Sequence, residues 1–246
     1  MSNGDRVLMV AFELAVQDAY GLAVAARLGV DRIELCSALP LGGVTPSLGF
    51  VEAATGTPGI PPVHVLVRPR AGGFDYDPAE VATIVSDVRH VVSAGAAGVV
   101  IGGVRDGRVD EVLVARVVEA AGGADVTFHR AFDTLEDPYP ALDRLGRLGV
   151  RRILTSAGAA TVADALPTLA ALVDSAAGRI EIMAGGGVRP GAIEKIVATG
   201  VPAVHASAKR VVPHAAGVPL GTADSAGRET TDEAEAARLL EALRAG

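Results

Sequence analysis

The segment 125–133 reads DVTFHRAFD. It begins as a buried strand, with Val126 and Phe128 alternating with Thr127, and ends on His129, Arg130 and Asp133. Buried strands seldom carry ionisable groups without partners, because desolvating an unpaired charge costs several kcal/mol. An imidazole with a pKa near neutrality suits proton transfer. A guanidinium fork matches carboxylate or phosphate.

Other strand-like segments end in the same way. In RIELCS, Ile33 and Leu35 fit an outer face that packs on helices, so Glu34 and Cys36 point inward. In VHVLVRPR, Val63, Val65 and Val67 go outward, leaving His64, Leu66, Arg68 and Arg70 inward or on the rim. Met9, Ala11 and Glu13 form one set in the first segment, and His205 and Ser207 form one in the last. If these ends converge, Glu34 can neutralise Arg68, and Glu13 can neutralise Arg130 or His129. The expected acid/base groups are Glu13, Glu34, His129 and Asp133. The expected substrate-binding groups are Arg68, Arg70, Arg130, Ser156, Gly185, Gly186 and Ser207. Ion pairs across a barrel layer can also be purely structural.

Two glycine-rich turns, TSAG (155–158) and AGGGVRPG (184–191), allow close backbone approach to an anion, and Lys209 adds charge nearby. LGGVTPS (41–47) is a further rim loop, with Ser47 placed to cap a helix starting at Leu48. Cys36, His129 and His205, with Glu13 or Glu34, offer donors for zinc or copper. Cys36 and His205 are the metal candidates. No C-x-x-C or H-x-x-x-H spacing supports them, and a lone Cys is most often a small buried hydrophobe.

Elements must position these residues. Strand candidates fall at 7–14, 32–36, 63–68, 98–103, 126–130, 152–156, 180–185 and 203–208. The clearest helices between them are 77–95, 109–123 and 161–178, where apolar residues recur three and four apart. Asp77 caps the first, with Pro78 behind it. RLGVDRIEL, RLGVRRILTS and ATGVPAVHAS repeat one grammar of helix end, glycine, valine and strand, with SAGAAGVVIG a looser copy. Gly29, Gly95, Gly149 and Gly200 fit the left-handed position that ends a helix. This pattern predicts a (β/α)₈ TIM barrel forming a single domain over residues 1–246, with chemistry on its C-terminal rim. A doubly wound open sheet is the alternative, but no G-x-G-x-x-G follows the first strand. A long connection, 211–231, precedes the final helix at 232–245.

The chain of 246 residues carries a net charge of −7 and only 3% aromatics. Neither suits a nucleic-acid partner, which needs basic surface and stacking platforms. No window has the ~18 consecutive apolar residues of a membrane helix. The single cysteine fits a reducing compartment, and the N-terminus lacks a signal peptide's arrangement. A soluble intracellular protein is expected.

DRIELCSALPLGGVTPSLG, RPRAGGFDY, VTFHRAFD, ILTSAG, IMAGGGV and VHASA occur in that order. Together they resemble the CutC copper homeostasis family over about residues 7 to 210. The resemblance implies a (β/α)₈ barrel, a cytoplasmic location, a homo-oligomer and a role in copper handling. Family members typically read Glu-(hydrophobic)-Cys at the end of strand one. This chain has Glu13-Leu14-Ala15, so of the two cysteines proposed to hold Cu(I) in some members only Cys36 remains. Soft Cu(I) prefers thiolate and thioether ligands, so Ala15 weakens copper as the ligand here. The alternatives are a lyase, isomerase or hydrolase acting on a small anionic substrate, phosphorylated or not, and a non-catalytic anion-binding protein.

Overall fold

The computed structural model describes residues 10–213 and 227–245. The start of the expected strand 7–14, with Met9, lies outside them, as does the middle of the connection 211–231, with His214.

Eight parallel strands close into a barrel. They are β1 (Ala11–Val16), β2 (Arg32–Leu35), β3 (Val63–Leu66), β4 (Gly98–Ile101), β7 (Asp125–Phe128), β8 (Arg152–Thr155), β9 (Glu181–Ala184) and β10 (Ala203–Ala206). Between β4 and β7 lies a small ribbon of β5 (Val104–Arg105) and β6 (Arg108–Val109). The ring closes where β1 pairs with both β2 and β10. This excludes the open doubly wound sheet. A closed ring leaves no unpaired edge.

The strands are short, largely apolar runs, and the residues between them form helices. These are α1 (Ala19–Leu28), α2 (Leu48–Thr55), α3 (Pro78–Ser93), α4 (Glu111–Ala121), α5 (Tyr139–Arg147), α6 (Leu166–Ala176), α7 (Ile193–Val197) and α8 (Glu233–Ala245). Their starts follow local chemistry. Asp18 accepts from the Gly21 N–H, Ser47 from Phe50, and Asp77 forms a capping box with Glu80. Each satisfies backbone donors that a helix start leaves open. The expected helix terminators Gly29, Gly95, Gly149 and Gly200 all have positive φ.

Outward strand residues such as Phe12, Leu14, Ile33, Val65, Val99, Phe128, Ile153 and Val204 are buried against the helices and form the main core. This is the two-sided burial of a parallel sheet. The expected long connection 211–231 is partly ordered. β11 (Lys209–Val212) pairs antiparallel with β12 (Arg228–Thr231), so the connection leaves and returns as a two-stranded ribbon at the rim. Gln17 donates to the Glu229 carbonyl, and Thr230 donates to Asp18, tying the ribbon to the end of β1 and the start of α1. Among the described residues no helix is long and apolar enough to cross a membrane.

Candidate functional site

Period-two alternation turns one residue set of each strand into the barrel. On β1 and β2, Glu13 sits level with Arg32, and Ala15 with Glu34 one layer nearer the mouth. On β1 and β10, Glu13 is level with His205. Glu34 faces His64 across β3, and Arg152 lies between Thr127 and Glu181. The interior is therefore charged in its lower layers.

Glu13, fully buried, binds the Arg32 guanidinium on one side and the His205 Nδ1 on the other, at 2.8 Å. Burial alone would raise its pKa. The His205 hydrogen bond and charge, with Arg32, outweigh that and hold it far below the usual carboxylate range. Arg32 also reaches toward Glu181, at 3.8 Å, and Glu181 binds Arg152 at 2.5 Å. These partners replace the expected pairing of Glu13 with Arg130 or His129. His64 is buried in this layer. Burial pushes its pKa down to about 4, against the pull of Glu13, so it is a neutral wall residue.

Above this layer a cavity of about 410 Å³ opens at the C-terminal ends of the strands. Glu34, Arg68, His129, Arg130, Gly186, His205, Ser207 and Lys209 all line it. The sequence-predicted set thus converges, with exceptions. Glu34 does not pair with Arg68. Its carboxyl faces His205, whose Nε2 lies 3.8 Å away. Burial pushes the Glu34 pKa up, His205 pulls it back, Glu13 pushes it further, and it rests at about 7. His205, between two carboxylates, is raised despite its burial.

Arg68 is held instead by carbonyls. Its terminal nitrogens donate to Leu41, Gly43 and Gly72 at 2.8–3.1 Å. Its Nε–H is buried without a partner. Every other cation of the mouth has its own carboxylate: Arg130 with Asp133, Arg189 with Glu235, Lys209 with Glu229. Among the described residues Arg68 has none.

His129 follows β7 and caps the 3₁₀ turn Arg130–Thr134. Its Nδ1 accepts the Ala131 N–H at 3.0 Å. That fixes the tautomer, leaving the proton on Nε2, and Nε2 is buried with no partner. Burial, with the Arg68 charge, pushes its pKa down to about 3. The expectation of an imidazole titrating near neutrality is corrected here: His129 is a neutral N–H donor. Phe74 packs on both groups, 5.0 Å from the His129 ring and 5.3 Å from the Arg68 guanidinium. Gly102 makes room for the imidazole, since a Cβ there would fall 2.1 Å from His129 Cε1.

Four expected residues hold other places. Asp133 is not free for acid/base work. Its carboxylate accepts from the Thr155 hydroxyl, the Ser156 N–H and Oγ, the Gly158 N–H and Arg130, anchoring the loop after β8. Ser156 is wholly buried within that anchor, receiving Arg130 Nη2 at 2.8 Å. Arg70 turns away from the cavity to Glu80, over the Tyr76 ring. Gly185 lies behind the wall, where a Cβ would meet Leu154. Gly186 does face the cavity, with positive φ, and the Arg130 guanidinium packs against it.

Cys36 is fully buried with Leu66 and Val100, its thiol 3.7 Å from the Val16 carbonyl. Burial, then Glu34, pushes its pKa well up. Soft-metal binding needs the thiolate, and among the described residues no group of three His, Cys, Asp or Glu side chains could hold a metal ion. Cys36 and His205 therefore do not fit a resident copper centre.

Sequence reading missed Arg32, Arg152 and Glu181. Period-two alternation gave the signal for Arg32, which shares its face with Glu34. Phe74 carried none, because it lies in a loop and reaches the site only through the fold.

A closed parallel barrel with a polar, partly desolvated mouth is the architecture of a small-molecule site on the (β/α)₈ fold. A sequence model of the CutC family matches residues 10–210. A family protein CutC of Agrobacterium fabrum (strain C58) is 43% identical over 238 residues, 95% of this chain and 94% of that protein. One of Caulobacter vibrioides (strain NA1000) is 44% identical over 208 residues, 84% of each. A solved CutC structure from Streptococcus agalactiae, proposed to act in copper homeostasis, superposes with a TM-score of 0.76 and 31% identity. It covers 80% of this chain and 98% of that one. The chain belongs to the CutC family. A 3-hexulose-6-phosphate synthase from Salmonella typhimurium, 15% identical with a TM-score of 0.60 over 96% of this chain and 99% of its own, shares the fold alone.

Proposed function

We propose that this CutC-family barrel is an enzyme that takes a small anionic, phosphorylated substrate into its mouth and moves a proton on it with Glu34. The observation that carries this is Glu34 itself. Its carboxyl is buried in the cavity wall, has a pKa of about 7, and stands before a relay of His205, Glu13 and Arg32. A general acid or base works best with a pKa near the operating pH. Burying a carboxyl whose nearest cation, His205, stands 3.8 Å away costs stability, which a purely structural layer has no reason to keep.

Two features support an anion. Arg68 lacks a carboxylate among the described residues, and its charge is met by carbonyl dipoles and the face of the Phe74 ring. The N–H groups of Gly186 and Gly187, after the barrel's seventh strand, donate to no protein acceptor among the described residues. Loops at this position can cradle phosphate in such barrels. A non-catalytic anion-binding protein would have no use for the Glu34 relay.

Copper homeostasis comes to this chain through its family. With one buried thiol and Ala15 at the other cysteine's place, we assign that role to chemistry in the mouth rather than to copper held at Cys36. The family resemblance also carries a cytoplasmic homo-oligomer, and the alternation of strands and helices supports one domain over residues 1–246.

The test is calorimetric titration with phosphorylated metabolites of three to six carbons. A ligand should bind wild type and weaken at least tenfold in Arg68→Lys, which keeps the charge but loses the fixed fork. Turnover should be lost in Glu34→Gln. Binding and turnover unaffected by both changes would overturn the reading.

A further inference from the structure

Two buried hydrogen-bond donors in the cavity wall have nothing to donate to: Arg68 Nε–H and His129 Nε2–H. A buried donor left unmade costs about 1–3 kcal/mol, so a native structure that keeps two, on residues packed against the same Phe74 ring, points to a missing acceptor. Both are fixed in place. Arg68 is clamped by three carbonyls, His129 by the Ala131 N–H, and Phe74 packs on each. Neither can swing out to water. Their rigidity is what electrostatic stabilisation of a developing charge requires. An imidazolium would hold a proton that could be lost to an oxyanion. A neutral imidazole donates a hydrogen bond and keeps its proton, the logic known from triosephosphate isomerase.

Resting on the reading above, we propose that Arg68 Nε–H and His129 Nε2–H form a hole for a substrate carbonyl oxygen, and that Glu34 takes a proton from the carbon beside that carbonyl. The substrate class is an enolisable aldehyde or ketone with an anionic end directed to the Gly186–Gly187 turn. The C–H bond breaks, and its proton goes to a Glu34 carboxylate oxygen. The C–H electron pair becomes the new C=C bond, and the C=O π pair becomes a lone pair on the oxygen. The enolate oxygen lies between the two donors. Return of the proton from Glu34, to either carbon of an α-hydroxycarbonyl unit after the hydroxyl proton shifts to the enolate oxygen, gives back substrate or its isomer. No oxidant or metal enters the balance.

Phe74 shapes access to the hole. It packs on both side chains from the loop before α3, 5.0 Å from the His129 ring and 5.3 Å from the Arg68 guanidinium, and so borders the hole. This makes Phe74 a specificity-determining residue as well as a dry cover.

The test reads carbon-bound proton exchange. Hydroxyaldehyde and hydroxyketone phosphates of three to six carbons are incubated with the enzyme in D₂O, and loss of the proton signal next to the carbonyl is followed by NMR. Wild type should wash out that proton from at least one compound. Glu34→Gln should slow exchange at least a hundredfold while still unfolding in one cooperative transition. His129→Leu should lower the rate about 10²–10³-fold, the usual effect of removing one oxyanion donor, and His129→Gln, which restores an N–H near Nε2, should recover at least tenfold of it. Binding is read in parallel with 2-phosphoglycolohydroxamate, an enolate mimic, against 2-phosphoglycolate. The mimic should bind wild type at least tenfold more tightly, with the preference lost in His129→Leu. Phosphate-dependent binding with neither exchange nor a preference for the mimic overturns this inference and leaves the anion site standing. Absence of binding by every compound overturns both.

Discussion

The Nε2 of His205 lies 3.8 Å from a carboxylate oxygen of Glu34, while its Nδ1 is 2.8 Å from Glu13. One imidazole thus separates two glutamates of opposite character. The inner one is held ionised by Arg32 and His205. The outer one, at the cavity, is held near neutrality's midpoint by burial. Two carboxyls whose environments push their pKa values apart are a signature of divided acid/base roles.

Substitution separates the two roles. Glu13→Gln leaves Arg32 buried without its main counter-charge and should destabilise the barrel by about 3–5 kcal/mol, the cost of breaking a buried pair. Glu34→Gln should not. A carboxyl whose folded pKa is raised favours folding in its protonated form, so the contribution is present below about pH 4.5 and is lost as pH rises through 7. The melting temperature of Glu34→Gln relative to wild type should therefore climb between pH 5 and pH 8. Thermal melts at the two pH values check this, and a gap that stays constant contradicts the raised pKa.

Acid sensitivity comes from the buried neutral histidines. His64 at about 4 and His129 at about 3 lie below their ordinary value of 6.5. Their contribution is whole above pH 6.5. It shrinks as the unfolded chain takes up protons that the folded barrel refuses, and is lost by pH 4 and 3. At about 1.4 kcal/mol per pKa unit, His64 is worth roughly 3 kcal/mol and His129 roughly 5 kcal/mol. Urea unfolding from pH 7 to pH 4 should show wild type losing more stability than His129→Gln.

Asp133 should prove structural in its first effect. Its carboxylate gathers donors from Thr155, Ser156, Gly158 and Arg130. Asp133→Asn points an amide N–H at some of those donors, and we expect a loss of about 2–4 kcal/mol. Denaturant melts measure it. A change below about 0.5 kcal/mol would show that the loop after β8 does not depend on this anchor.

For copper, anaerobic titration of Cu(I) against a competing chelator should show no stoichiometric site that Cys36→Ser removes. The thiol is buried and hard to ionise, and no second thiolate stands near. A tight site present in wild type and absent in the variant would restore Cys36 as a ligand.

The barrel and most of its mouth were legible in the sequence because alternation and helix grammar are local. Ile33 and Leu35 outward forces Glu34 inward, and Val126 and Phe128 do the same for His129. Partners were not legible. Whether Arg68 meets Glu34 or three carbonyls depends on the paths of two loops, at 41–43 and around Gly72, which no periodicity encodes. The His129 tautomer rests on one backbone N–H, from Ala131, in a 3₁₀ turn. Asp133 looked like a rim acid because its donors, Thr155 to Gly158, come from the next βα unit. Arg32 was the avoidable omission, since it shares a face with Glu34.

The direct test needs no substrate. ¹³C labelling of glutamate side chains, with Glu34→Gln to assign the resonance, lets the Glu34 carboxyl be titrated by NMR. A midpoint close to pH 7 is the predicted result. A midpoint near the ordinary 4.5 would mean a solvated carboxylate, and the acid/base role given to the barrel mouth would fall with it.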